Sequence, residues 1–580
     1  MFGKSAALKG GGAVRLRKMA CRLAGMVGLC LLLTLGAGTA FAQNTGTTIK
    51  VTREAWSEAD ERGYMEFIQA IGEARCNTVD RCMKSAANPF ARTDPPGIYW
   101  AADCADLPYF LRAYYAWKRG LPFSYISAVA PRGATRDIRY TASGNTISAR
   151  RDITTGSATG PGLLVDLRNG ISSAMFRLHP DMDGTDLYPV RMDRKALRPG
   201  TVLYDPNGHV AVVYKVEEDG RVLFIDAHPD NSLTRGTYGK KFVRSYPGMG
   251  AGFKNWRPVR LVGATPAADG TLQGGRMEFT RNAELPDFST EQFFGTVSRP
   301  ADREWQTGQF IIDGQPVDYY DYVRARMGGG SLTFEPLQEV RNMVRANCED
   351  LRYRAEAVDL AIRAGIQNKA QPGRLPTNIY GTEGEWEEFS TPSRDARLKA
   401  SFLELREQVQ RFVEWHASGD KRVKYQGGIL APALLKAYDE EAAQCTLSYV
   451  RSNGTSVQLT YEQMRRRLFQ MSFDPYHCIE RRWGASDPAE MATCRDNPTK
   501  AAWYDAQQGL RNQIDRTYDA RMDFSLDELK VPGPGRGVAL PPDIDVRGYL
   551  QMVIARQAKA PPSRPRIPSP ASPAAVRAQQ

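Results

Sequence analysis

The stretch GHVAVVYKVEEDGRVLFIDAH, residues 208–228, decides the fold. Two apolar runs, Val210 to Val216 and Val222 to Ile225, flank Glu217-Glu218-Asp219-Gly220, and an Asp-Gly pair between such runs is a strong hairpin signal. A third run, Gly200 to Tyr204, precedes it through the turn Asp205-Pro206-Asn207-Gly208. The predicted product is an antiparallel sheet. Upstream, Glu58 to Ala74 and Leu107 to Trp117 carry helical spacing, so helices come first and strands follow, which is the α+β order.

The same stretch carries candidate chemistry. His209 opens one strand and Asp226 ends the returning one, which sets the carboxyl beside the imidazole as its orienting group. His228, two residues on and on the same strand face, is the alternative orienting residue. A nucleophile to match is Cys104, in Asp103-Cys104-Ala105-Asp106-Leu107, directly before the helix whose Leu107, Phe110, Leu111, Tyr114 and Trp117 form an apolar face. A cysteine attacks as its thiolate, which a helix N-terminus and a nearby imidazole both favour.

Cysteine counting singles out the same residue. Beyond residue 42 the chain holds Cys76, Cys82, Cys104, Cys348, Cys445, Cys478 and Cys494, an odd number. Sequence alone does not fix connectivity. Proximity suggests Cys76 with Cys82 and Cys478 with Cys494, while Cys348 and Cys445 each fall on a helical apolar stripe and suit a helix-to-helix bridge. Cys104 is then left over, the alternative being that it pairs with Cys76 or Cys82. With no Cys-x-x-Cys pair, and with His477 beside Cys478 lacking ligand spacing, neither a metal nor a cofactor is expected.

A cysteine in an Asp-Cys-small context opening a helix, then a strand begun by Gly208-His209-Val210-Ala211, then a hairpin ending in a third polar residue, resembles the NlpC-type papain-fold peptidases of bacterial cell walls. The resemblance covers roughly residues 93–262. It implies a papain-like domain with catalytic Cys104, His209 and Asp226, the Cys104 N–H as one oxyanion donor, Tyr99 as one candidate for the second, and a cell-wall peptide or other envelope amide as substrate. The chain departs from the family pattern at Ala105-Asp106, where Ser-Gly is usual, at Pro108 in the first helical turn, in a long insertion from Ala130 to Arg198, and in having Asp rather than His or Asn as third residue. Those departures bear on specificity more than on fold.

Outward from this core, residues 1–42 read as a signal peptide. Lys4, Lys9, Arg15, Arg17, Lys18 and Arg22 precede an apolar run from Leu23 to Leu35 and then Ala40-Phe41-Ala42, with cleavage expected before Gln43. The run is shorter than a spanning helix needs, and no other long apolar run follows, so no integral membrane segment is expected after processing and the location is periplasmic or secreted. The formal charge of +12 falls by half with that segment, and the tail from Arg556 onward is basic as well, so the middle gives no reason to expect nucleic-acid binding.

Residues 43–265 are thus read as the papain-like domain and 266–300, rich in Gly, Pro, Ala and Thr, as a linker. Residues 301–555 read as a mainly α-helical domain that offers a surface for a protein partner. Its helices are expected over Leu337 to Ile362, from Ser393 to Gly419, over Ala433 to Val450, after a capping box of Thr460 and Gln463, and from Trp503 to Ala520. Glu383, Glu385, Glu387 and Glu388 read as a solvated acidic loop, His416 as a helix-end dipole partner, and the Pro-rich residues 556–580 as disordered. Two other functions remain open beside an amide-cleaving thiol hydrolase: a non-catalytic envelope binding or scaffold protein with a papain-like module, and an amide acyltransferase.

Overall fold

The computed structural model describes residues 46–559 apart from 136, 245–246, 379–383, 390 and 515–520, so the signal peptide and residues 560–580 lie outside the described residues, while residues 556–559, expected to be disordered, end the helix Val546–Lys559. The chain beyond Ala42 forms one compact unit. Helix α1 (Glu58–Glu73) begins at a capping box in which Ser57 and Asp60 satisfy one another's backbone N–H groups. Helix α2 (Leu107–Arg119) carries Pro108 in its first turn, where a missing N–H costs nothing, and stops at Gly120 in the left-handed region.

The central sheet has six strands: β1 (Leu187–Pro189), β2 (Val202–Asp205), β3 (His209–Val216), β4 (Val222–Ala227), β5 (Leu233–Thr237) and β6 (Gly252–Trp256). Their order is β1-β6-β2-β3-β4-β5, and every pairing is antiparallel. Both faces of the sheet are covered. On one, Val202, Tyr204, Val210, Val212 and Ile225 pack with Ile68 and Ile71 of α1 and Leu107 and Leu111 of α2. On the other, Leu203, Ala211, Val213, Phe224 and Phe253 pack with residues from the C-terminal half. Alternation along a strand sends successive side chains to opposite faces, so one short sheet serves two cores.

The second core is built by α3 (Tyr319–Met327), α4 (Pro336–Arg363), α5 (Thr391–Ser418) and α6 (Leu430–Ala442). Val323, Val340, Val344, Leu398, Phe402 and Leu434 supply its buried apolar faces. Gly365 and Gly419, at φ 75° and 71°, follow α4 and α5. The protein is therefore a mixed α/β molecule with antiparallel sheets and a helical C-terminal part.

Three expectations need correction. The helix expected over Ala433 to Val450 ends at Ala442, and strand β7 (Thr446–Val450) turns through Asn453-Gly454 to pair with β8 (Ser456–Thr460). Thr446, Tyr449 and Val450 favour a strand, and the Asn-Gly turn closes the hairpin. The capping box of Thr460 and Gln463 then starts α7 (Tyr461–Arg467) as expected. The helix expected from Trp503 to Ala520 instead begins at Pro498, breaks at Gln507 and ends at Asn512, with 515–520 outside the described residues. Residues 266–300 do not form a loose connection: Arg276–Phe279 pairs with Val259–Val262, Phe293 and Phe294 are buried, and Gln292 accepts a hydrogen bond from the Phe253 N–H at 2.8 Å.

Three disulfides join Cys76 to Cys82, Cys348 to Cys445 and Cys478 to Cys494, and Cys104 is free. Among the described residues, no helix is long and apolar enough to cross a membrane.

Candidate active site

The ladder between β3 and β4 begins at Val212 and Ile225, so the first residues of β3 and the last of β4 diverge into a wedge. His209 and Asp226 stand on its two tips and close it, with Nε2 2.7 Å from Oδ2. The His209 and Asp226 side chains are both more than nine-tenths buried. Thr234, opposite Asp226 in the β4–β5 register, donates to the second carboxylate oxygen. His228 adds its Nε2 at 3.5 Å from Oδ2 while bonding the Thr234 hydroxyl at 3.0 Å. Its ring stacks on His209 at 5.7 Å and lies 4.4 Å from Tyr353 of α4.

Burial alone would raise the Asp226 carboxyl, but His228 and the hydrogen bonds from His209 and Thr234 hold it well below the carboxylate range. His209 goes the other way: burial lowers its pKa, and Arg397 lowers it further, against the pull of Asp226. Around neutral pH the pair is a carboxylate and a neutral imidazole. Because a carboxylate only accepts, the ring proton belongs on Nε2, which leaves Nδ1 as the basic nitrogen. Nδ1 has no hydrogen-bond partner among the described residues.

The turn before His209 is fixed from beneath. Buried Arg177 donates from Nε to the Thr141 carbonyl at 2.6 Å and from Nη1 to the Pro206 carbonyl at 2.8 Å. Gly208 sits at φ 82°, and a Cβ there would lie 2.6 Å from the Tyr140 hydroxyl, so both its conformation and its neighbour require glycine.

Cys104 enters the same wedge from the turn that precedes α2. Its Sγ lies 3.8 Å from the Gly208 carbonyl and accepts a hydrogen bond from the Val210 N–H, which the diverging ladder has freed. The thiol is thus held by the main chain on both sides of His209, and among the described residues no hydrogen bond joins it to the ring. The loop before it is pinned by Asn231, at φ 64°, whose side chain accepts from the Ala102 N–H at 3.2 Å and donates to the Trp100 carbonyl at 3.1 Å and the Tyr99 hydroxyl at 2.8 Å. Tyr99 itself is exposed.

The expected ionised thiol is not the resting state. Although the residue is partly exposed, surrounding protein desolvates its sulfur and pushes the thiol far above its usual range, and the Asp103 carboxylate pushes the same way. The loop leading into the helix is tied to its own side chains. Asp103 Oδ1 accepts from the N–H groups of Ala105 and Asp106 at 2.8 and 3.2 Å, and Asp106 Oδ1 accepts from the Asp103 N–H at 3.1 Å. Burial, then Asp103, raises Asp106 well above the carboxylate range. These bonds tie up the loop before α2, not the helix's own N–H groups, and burial beside the Asp103 carboxylate outweighs what the helix start gives the thiol.

Residues from far along the chain complete the surroundings. Arg394 and Arg397 of α5 and Lys241 line the recess that holds His209, Asp226 and His228. They went unnoticed in the sequence because only the packing of α5 over the sheet brings them here; the sole local hint is two arginines three apart on one helix face. Asp205, the register partner of His209, is a further addition, its carboxyl pushed up to about 7 by burial. Elsewhere, Cys478, Glu480 and Cys494 gather three ligand-type atoms, but the two sulfurs are spent in their disulfide. No family model matches the chain, and no curated protein or solved structure matches it.

Proposed function

We propose that the protein is an exported thiol hydrolase that cleaves an amide bond, with cell-wall peptide as the substrate class. The observation that carries this reading is the convergence of Cys104, His209 and Asp226 on one wedge at the end of the sheet. Export is supported by the charged, apolar and small-residue order of residues 1–42 and by the three disulfides. The cell-wall assignment rests on the likeness of residues 93–262 to NlpC-type peptidases.

In this mechanism the thiol is neutral at rest and His209 works as a general base rather than as half of an ion pair. As Sγ attacks the carbonyl carbon, the thiol proton passes to Nδ1, and Asp226 steadies the imidazolium through Nε2. The carbon–nitrogen bond then breaks, Nδ1 gives its proton to the departing amine, and an acyl thioester remains on Cys104. Water deprotonated by Nδ1 attacks that thioester, releasing the carboxylic acid and restoring the thiol. The Cys104 N–H, which has no hydrogen-bond partner among the described residues, is the candidate donor to the oxyanion.

Digesting purified cell-wall fragments with wild type and with Cys104→Ala, and reading the products by mass, tests the reading. New peptide ends are expected with wild type alone. Identical product patterns would overturn it. One observation favours the second reading, a non-catalytic binding module: the thiol is buried enough to resist ionisation. That reading expects binding without cleavage in the same digest. An acyltransferase would show a supplied amine joined to the product.

A further inference from the structure

Five cationic side chains line the recess beside the His209–Asp226 pair, and they are not equivalent. Arg354 is matched to Asp395 at 2.7 Å, and Arg235 spends its donors on the main-chain carbonyls of Ile71, Gly72 and Cys76. Lys241 is matched to Asp350 at 3.2 Å. Arg394 is matched to Asp230 at 3.4 Å, bonds the Phe389 carbonyl at 3.1 Å and lies over the Tyr353 ring. Arg397 is only partly buried, and among the described residues its guanidinium has no carboxylate within ion-pair distance. Its charge nevertheless acts on three groups: it opposes the burial that raises the Cys104 and Asp205 pKa values, and it adds to the burial that lowers that of His209.

The acids close by do not neutralise it. Asp226 is committed to His209, His228 and Thr234. Asp205 gives one oxygen to the Asn207 N–H and, with its carboxyl near 7, is only partly charged in neutral solution. An arginine held this way, in a recess beside His209 and Asp226, lacks the planar anion that its donor fork is shaped to grip.

We propose that Arg397 is a specificity residue that binds a carboxylate of the substrate next to the scissile amide. The proposal rests on the thiol-hydrolase reading for its substrate, yet its recognition half is measurable without one. Helix α5 thereby acquires a function at the site: the C-terminal half supplies the anion-recognising side chain, and the N-terminal half supplies the sulfur.

The test compares two alkylating agents that share a reacting carbon and differ in charge, iodoacetate and iodoacetamide, on the full mature protein. Cys104 is its free thiol, so each rate belongs to one site. Simple thiols favour the neutral reagent. The expected result is a preference for iodoacetate at Cys104, reduced at least fivefold in Arg397→Gln, only partly kept in Arg397→Lys, which has the charge without the fork, and weakened by high salt or by added succinate. An unchanged rate ratio in Arg397→Gln, with iodoacetamide labelling intact, would overturn the carboxylate site and leave the hydrolase reading untouched. Failure of both reagents to label folded protein would sink the two together, because the thiol would then be closed to any substrate. Wild-type cleavage of fragments with no loss in Cys104→Ala would remove the hydrolase reading alone, while the reagent preference would still report the anion site.

Discussion

His209 Nε2 meets Asp226 Oδ2 at 2.7 Å across the tips of two strands whose pairing has already ended. The contact spans the gap that the ladder leaves, and Thr234 and His228 hold its acidic half in place. Replacing Asp226 with Ala removes the acceptor for three groups at once and leaves them buried. The expected cost is at least about 2 kcal/mol, because hydrogen bonds to a buried charge are the expensive ones to lose. Chemical denaturation measures this cost, and the far-downfield ring-proton resonance of His209 should vanish in the same variant.

The buried histidines set an acid limit on stability. The pKa values of His209 and His228 are lowered chiefly by burial, and that of His477 falls to about 4 for the same reason. The unfolded chain takes up protons near pH 6.5 whereas these folded sites do not, so the stabilisation is complete above that pH and declines as pH falls toward the folded values. For His477 the loss between about pH 6.5 and 4 comes to roughly 3 kcal/mol. Denaturant titrations at pH 7 and pH 4.5 should show a clear fall, and His477→Gln should flatten part of it.

Gly208→Ala should destabilise the turn and disturb the site together. A side chain at φ 82° is strained, and its Cβ would meet the Tyr140 hydroxyl at 2.6 Å. About 1–3 kcal/mol of lost stability is expected. The Tm of the variant and the labelling rate of Cys104 should both shift; a shift in neither would show that the turn relaxes freely.

The three disulfides should differ in weight. The Cys348–Cys445 bridge closes a loop with a sequence separation of 97, whereas Cys76 and Cys82 are 6 apart. Loop-closure entropy assigns about 4–5 kcal/mol to the long loop and about 2 kcal/mol to the short one. Paired replacement by Ala should therefore lower the Tm much more at Cys348 and Cys445 than at Cys76 and Cys82.

The hairpin and its two polar ends were legible because an Asp-Gly turn with apolar flanks fixes which residues meet across the strands. Cysteine spacing was informative for a similar reason: two of the pairs close short loops. The place where the pairing stops was hidden. Nothing in Val210-Ala211-Val212 announces that the Val210 N–H will serve a sulfur rather than a neighbouring strand. The acidity of the thiol was hidden because nothing local shows that burial beside the Asp103 carboxylate outweighs the helix start. At Ala433 to Val450 the helical spacing of the first half ran into residues whose β-branched and aromatic side chains fit a strand. The sharing of one sheet by two cores, and with it the arrival of Arg397, depends on contacts far apart in the chain, which local periodicity does not record.

The central claim is that the imidazole of His209 serves the sulfur of Cys104. Iodoacetamide labelling of Cys104, followed by mass spectrometry from pH 6 to 9 in wild type, His209→Ala and Asp226→Asn, tests it most directly. The account predicts a wild-type rate that stays nearly level over this range, because neutral His209 takes the thiol proton, and variant rates that climb about tenfold per pH unit, as an unassisted thiol with raised pKa requires. It also predicts that near neutral pH both variants fall about a hundredfold below wild type, the lower end of what a positioned base contributes. Three superimposable profiles would contradict it.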